Sequence, residues 1–193
     1  MGKGAVGIGT LIIFIAMVLV AAIAAAVLIS TSGILQQRAM TTGKESIQQV
    51  SSNIVVVSIT GYANAAKDNV DNLTLAVSAA AGAGRIDLRY LIIRISNSQN
   101  ESYLSYSSTL SAGNFTAEVI RDPSNLFTAT NPVIDGSSLV RLTLLASSQS
   151  PVAINLVPRE KLHIELIPEH GNTITIDTRT PESYSMSVIN LYP

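Results

Sequence analysis

The sequence predicts an α+β protein, a long hydrophobic N-terminal α-helix followed by an antiparallel, immunoglobulin-like β-sandwich. Three observations carry this expectation. Leu11 to Ile29 runs 19 residues without a polar side chain. No charged residue occurs between Lys3 and Arg38. From about Thr60 the apolar residues change from helical spacing to alternation, the period-two signature of half-buried strands.

The helix is expected over residues 5–57. Its apolar run has the length of a bilayer-spanning helix, about 20 residues. Beyond the run, Met40, Gly43, Ile47, Val50, Ile54 and Val57 recur at spacings of three and four, the pattern of a packing seam. Ser30-Thr31-Ser32-Gly33 separates the two parts and is expected to kink or loosen the helix. At 1.5 Å per residue such a helix reaches roughly 80 Å, far more than a small domain needs internally.

Residues 58–193 are expected to form the sandwich. Leu73, Leu75 and Val77 alternate with polar or small residues, as do Val140, Leu142 and Leu144, then Leu162, Ile164 and Leu166. Ile174 and Ile176 repeat the pattern, and so do Tyr184, Met186 and Val188. Turn signals separate these runs: Ala-Gly-Ala-Gly at 81–84, Asp-Pro at 122–123, Asn-Pro at 131–132, Asp-Gly at 135–136 and Gly-Asn at 171–172. Eight or so short strands without a convincing second helix fit a sandwich.

Composition narrows the function classes. A net charge of −1 gives no electrostatic footprint for nucleic acid. The chain has no cysteine, so neither a disulfide framework nor a thiolate metal site is available. No catalytic residue, cofactor site or metal site is assigned. His163 and His170 fall on a strand and the following turn, where solvated histidines are ordinary. Gly7-Ile8-Gly9 lacks the preceding strand and third glycine of a dinucleotide fingerprint. Asp122 and Asp135 sit in turns, where aspartate caps its own backbone. Three glycosylation sequons begin at Asn72, Asn100 and Asn114, each meaningful only if the chain is exported and the Asn is exposed.

The apolar run admits three readings. A cleaved secretory signal would carry an apolar stretch of only about 7–15 residues and would orphan the seam behind it. A plain membrane anchor explains the hydrophobicity but not that seam. The third is an assembly helix, apolar all round because copies of itself later enclose it. Ala21 with Ala25, and Ala22 with Ala26, give small-xxx-small spacings that let backbones approach. Leu11, Phe14, Met17, Val18, Ile23 and Leu28 supply bulk to interdigitate around them. Lipid and a helix bundle are similarly apolar, so transfer from one to the other meets no large hydrophobic barrier.

The stretch KGAVGIGTLIIFIAMVLVAAIAAAVLI, continuing to about Ile34, closely resembles the N-terminus of the archaeal flagellins, or archaellins. These are subunits of the archaeal swimming filament, built on the type IV pilin plan. The resemblance implies a class III leader, residues 1–4, removed by a prepilin-type signal peptidase. On this sequence the cut falls between Gly4 and Ala5, with Lys3 completing the recognition segment. The leader is shorter and less basic than the family pattern. The fifth mature position is Gly9, where bacterial type IV pilins carry Glu, which favours archaellin over bacterial pilin. The resemblance further implies transient membrane insertion and then an extracellular helical homopolymer, with other archaellins as possible co-subunits. A membrane-embedded, ATP-driven motor would assemble and turn it, and the subunit would do no covalent chemistry. The rival readings are an adhesive archaeal pilin with the same helix and a membrane-anchored surface binding module.

Overall fold

The computed structural model describes residues 3–146 and 154–192, with side chains from Gly7 onward. The first two leader residues lie outside the described range. The chain divides into two units, Met1–Ser46 and Ile47–Pro193.

Helix α1 covers Lys3–Ser51, 49 residues and about 74 Å at the standard rise. No proline precedes Pro123, and alanine and isoleucine dominate the apolar run, so no residue removes a donor from the backbone ladder. The helix is not broken at Ser30–Gly33, where loosening was expected, and its assignment continues through all four residues. Thr31 turns its hydroxyl back onto the Val27 and Leu28 carbonyls at 2.8 and 3.1 Å, which satisfies it within the helix.

The helix stops six residues earlier than its spacing predicts. Ile54 and Val57 belong to strand β1, Ile54–Ala63. Four consecutive β-branched residues, Ile54 to Val57, crowd a helical turn but suit a pleated surface. Asn53 closes the helix by donating its side-chain amide to the Val50 carbonyl at 3.1 Å.

Ten more strands follow: β2 Val70–Ala79, β3 Ile86–Asp87, β4 Ile92–Ser96, β5 Glu101–Tyr106, β6 Asn114–Arg121, β7 Val133–Ile134, β8 Leu139–Leu145, β9 Lys161–Ile167, β10 Ile174–Arg179 and β11 Val188–Tyr192. Nine of the eleven strands form one ladder in the order β10-β9-β4-β5-β6-β8-β2-β1-β11, and β3 pairs with β7 separately. Every neighbour is antiparallel except β5 and β6, which touch through two parallel residue pairs. At that seam Tyr106 meets the buried Phe115 edge to face, with centroids 5.8 Å apart.

The ladder folds over so that both halves share one core. Leu73, Leu75 and Val77 join Val140, Leu142 and Leu144 from one half. Ile93, Ile95, Leu162, Ile164 and Leu166 enter from the other. The two ends of the ladder also meet, because the Thr178 hydroxyl on β10 donates to the Leu191 carbonyl on β11. The α+β class therefore holds: one long apolar helix, then a large, mostly antiparallel sheet domain.

One strand differs from its expected phase. Tyr184, Met186 and Val188 do not form an inward-facing strand. β11 begins at Val188, with Ile189 and Leu191 buried and Val188, Asn190 and Tyr192 turned outward. Tyr184 is buried by a different route, its hydroxyl donating to the Leu156 carbonyl at 2.8 Å.

Candidate polymerisation surface

A helix apolar on every side must be enclosed by lipid or protein, yet none of the apolar stretch of α1 is covered. Ile8, Leu11, Phe14, Met17, Ile23 and Leu28 are each between 58% and 69% exposed. Val18, Ala21, Ala22, Ala25 and Ala26 are exposed as well. Ile13, Ala16, Met17, Val20, Ala21 and Ala24 line a shallow apolar groove along one side. Ala16 and Ala24 are among its lining residues, and neither stands out from the small-residue spacing alone. The backbone of Lys3, Gly4 and Ala5 opens α1.

Polar groups near this surface are neutralised locally. The Thr10 hydroxyl donates to the Gly7 carbonyl at 2.9 Å, as Thr31 does one span later. A neighbour approaching between residues 7 and 29 therefore meets hydrocarbon and small residues, with no unsatisfied threonine hydroxyl in the way.

The sheet domain shows a different chemistry on the outer face of β10-β9-β4-β5. His163 stands between Asp177, 2.6 Å from Nδ1, and Glu165, 3.1 Å from Nε2. Glu165 also takes a two-point contact from Arg94, whose third guanidinium nitrogen reaches Glu101 at 3.3 Å. Cross-strand register builds this lattice: Asp177 opposes His163, and Glu165 opposes Arg94. Both imidazole nitrogens are engaged by carboxylates, so Ser96, which opposes His163 on β4, has no free base beside it. The carboxylates flank opposite ends of the ring, so no single point gathers them for a metal. Among the described residues no group of three metal-ligating side chains comes together.

Asp122 and Asp135 do what turn aspartates do. Asp135 accepts from the hydroxyls of Ser124, Ser137 and Ser138 and from the Ser137 amide. These donors hold its carboxyl far below the usual range. Asp122 accepts from the Phe127 amide and from Ser138.

The His163 lattice gives a pH prediction. Asp177 first and Glu165 second favour the imidazolium, raising the His163 pKa. Its stabilising contribution is complete below the unfolded value of about 6.5 and is lost as pH rises through the higher folded value. Glu165 has the opposite sign: Arg94 first and His163 second lower its pKa. That contribution is complete above about pH 4.5 and is lost as pH falls through the depressed folded value. The melting temperature of the sheet domain in the full chain should therefore peak near pH 5–6 and decline toward about pH 8. His163→Gln should flatten the alkaline limb and spare most of the acid limb. A wild-type melting temperature constant from about pH 6 to 8 would remove His163 from this role.

The three sequons sit in unlike places. Asn100 lies exposed at the tip of the β4–β5 hairpin. Asn114 is half-buried; its amide donates to Ser111 at 2.9 Å and its carbonyl accepts from Ser105. Asn72 is half-buried within β2, between Tyr62 of β1 and Leu145 of β8.

A long exposed apolar helix joined to a folded β-domain defines a subunit whose hydrophobic element is completed from outside the chain, by lipid or by protein. The comparisons with known proteins specify which kind. The sequence matches the archaeal-type flagellin family over residues 4–178. It is 41% identical to flagellin B2 of Methanocaldococcus jannaschii, over 94% of this chain and 91% of that protein. Flagellin B1 of Halobacterium salinarum is 39% identical, over 94% of this chain and 90% of its own length. The fold resembles that of the archaeal flagellum of Methanospirillum hungatei strain JF1, with TM-score 0.73, 17% identity and coverage of 97% and 99%. The crystal structure of M. jannaschii flagellin FlaB1 gives TM-score 0.62 at 21% identity, over 73% of this chain and 97% of that one. The chain belongs to the archaeal-type flagellin family, a family of structural filament proteins.

Proposed function

We propose that this chain is a subunit of the extracellular archaeal swimming filament and polymerises through α1. The full exposure of the apolar side chains from Ile8 to Ile29 carries this reading. One subunit cannot hide them, and staggered copies can. Burying five or six large side chains against each neighbour contributes on the order of 10 kcal/mol before ordering costs.

The same surface suits storage in the membrane beforehand, since the span meets the length requirement and carries no charge. Before assembly, a prepilin-type signal peptidase cuts between Gly4 and Ala5, and a membrane-embedded motor then inserts the subunit at the filament base. Other archaellins share the filament. Exposure at the hairpin tip makes Asn100 the glycan acceptor of choice among the three sequons, ahead of Asn114 and Asn72.

One experiment tests the processing and the glycan together. Filaments sheared from cells are imaged by negative stain, and their main band is sequenced and weighed. The mature N-terminus should be Ala5, and a hexose-scale mass increment should map to the peptide bearing Asn100 and vanish in Asn100→Gln. An N-terminus near Val27 would mean an ordinary secretory signal and end the polymerisation reading.

A further inference from the structure

The outer face of β10-β9-β4-β5 is charge-matched except at one end. Arg94, Glu101, Glu165, His163 and Asp177 all find partners within it. Beyond them, Arg179 on β10 stands directly opposite Lys161 on β9. Like charges so placed destabilise a sheet, and among the described residues neither cation has a carboxylate partner. The Arg179 guanidinium is nevertheless held in place, its Nε donating to the Arg159 carbonyl at 2.9 Å. The pair lines a groove of about 530 Å³, with Ser96, Ser98, His163 and Asp177 also on its walls. Arg179 also lines a second hollow, of about 410 Å³, together with Arg159, Pro181 and Glu182. Arg159 meets Glu182 there at 3.4 Å, but both side chains are well exposed and such a pair is worth little. Lys161, Arg179 and Arg159 thus follow one another at one end of the β9–β10 pair.

We infer that this cationic track binds an acidic polysaccharide met outside the cell, its carboxylates seated on Lys161, Arg179 and Arg159. The inference rests on the filament reading above for where such a polymer is met, while the binding itself belongs to the subunit. Three features select this class of ligand. Cations paired in register without a partner call for an anion between them, whose arrival cancels the repulsion that the sheet otherwise carries. The track is also longer than a single ion needs, since two hollows joined through one arginine suit successive residues of a chain. Its charges, finally, are mixed. Asp177 is engaged with His163 through one carboxylate oxygen, and with Ser96 and Ser98 it offers hydrogen bonds to sugar hydroxyls. The same carboxylate opposes the unbroken phosphates of a nucleic acid. Among the described residues no aromatic ring except the His163 imidazole lines either hollow. Ring stacking therefore does not hold the ligand, so a neutral sugar gains little and a nucleobase finds no platform. Each contact is exposed and weak, and a filament that repeats the site along its length turns it into avidity.

Fluorescence anisotropy of a labelled oligogalacturonate tests the site, on full-length subunits in neutral detergent and on sheared filaments. An uncharged dextran oligomer and an oligothymidylate of equal charge are titrated beside it. Oligogalacturonate should bind both preparations, more weakly as salt rises, and more tightly than either of the other two. Lys161→Gln and Arg179→Gln should each weaken it by about fivefold or more, and the double variant should bind it no better than wild type binds dextran. Arg121→Gln, on β6, should bind as wild type does. Either groove variant should melt at or slightly above the wild-type temperature, because each relieves a like-charge pair. Lost binding with an undiminished melt then reads the site and not the fold. Equal binding by wild type and the double variant overturns the inference, as does oligogalacturonate binding no better than dextran. Oligothymidylate binding as tightly overturns it in favour of a nucleic acid. Binding that emerges only in Asn100→Gln subunits means that the chain's own glycan fills the groove, and overturns the external polymer. Binding by subunits but not by filaments overturns it too, the groove being shut on assembly. Absence of filaments from the wild-type chain would instead sink the filament reading, and the subunit titration would still stand.

Discussion

Ile23→Asp should abolish filaments while leaving the sheet domain folded. Ile23 lies inside the longest uncharged stretch of α1 and is 64% exposed, so nothing in the subunit's own fold depends on it. An aspartate at the centre of an apolar helix costs roughly 2.5–3.5 kcal/mol on insertion scales. In a polymer that cost recurs in every subunit, against a contact energy of only about 10 kcal/mol before ordering. The same carboxylate also burdens membrane storage, so a second variant separates the two stages. Ala25→Leu keeps the helix apolar but fills the close approach made with Ala21, and overpacking of that kind costs about 1–3 kcal/mol. It should leave the subunit in the membrane and yield filaments that are short or dissociate at lower temperature. Melting of the sheet domain should shift by less than about 1 °C in both variants, because neither residue touches its core. Filaments of normal length and thermal stability in both would sink the helical-core assembly.

How much of this was legible in the sequence depended on whether a residue's environment was set locally. β2, β8 and β9 were readable because their inward and outward residues differ sharply: Leu73, Leu75 and Val77 are fully buried, as are Val140, Leu142 and Leu144. β11 was not, because apolar residues occupy both parities, Met186 and Val188 on one and Ile189 and Leu191 on the other. Pairing with β1 decides the phase there, through the Tyr62–Val188 register. The end of α1 was ambiguous for a similar reason. Val50, Ile54 and Val57 fit helical spacing, whereas Ile54 and Val56 equally fit alternation, and the β-branched run settles it.

The apolar span of α1 was legible as a helix, since hydrophobicity on every side of one helix is a property of consecutive residues. The charged lattice was hidden. Arg94 and Glu165 stand 71 residues apart, and only the β4–β9 register brings them together. The outward valines of β1 were hidden too. Exposed valines at 55 and 57 look in sequence like the core residues Ile54 and Val56 beside them. Such residues distinguish themselves only when the fold shows which side is covered.

Gly171→Ala should be the most damaging single-methyl change in the sheet domain. Gly171 lies in the β9–β10 turn with φ of +104°, a conformation that L side chains rarely adopt. A Cβ there would stand 1.7 Å from the Ser52 carbonyl oxygen and 2.8 Å from its carbon, both backbone atoms. Ser52 cannot retreat freely. Its amide is tied to the Gln48 carbonyl at 3.0 Å, and the next residue, Asn53, accepts from the Ala80 amide at 2.8 Å. The turn is fixed from its own side as well. Gln49 donates to the Gly171 carbonyl at 3.0 Å, and the Asn172 amide donates to the Asn53 side chain at 3.2 Å. Relief therefore requires the turn to swing away from residues 48–53, losing both of those hydrogen bonds and uncovering Ser52. Backbone strain and forced repacking together cost roughly 3 kcal/mol, which for a domain of this size lowers the melting temperature by about 6–12 °C. Gly84→Ala is the matched control. Its Cβ would sit 3.9 Å from the Ser52 hydroxyl, an ordinary contact beside the same residue, and should melt within about 2 °C of wild type. If Gly171→Ala melts with the wild type, residues 48–53 are not clamped by the turn. If it melts early as expected, filaments built from it should break under shear more readily. The two residues between α1 and β1 are then the point where load passes from the polymerising helix into the sheet.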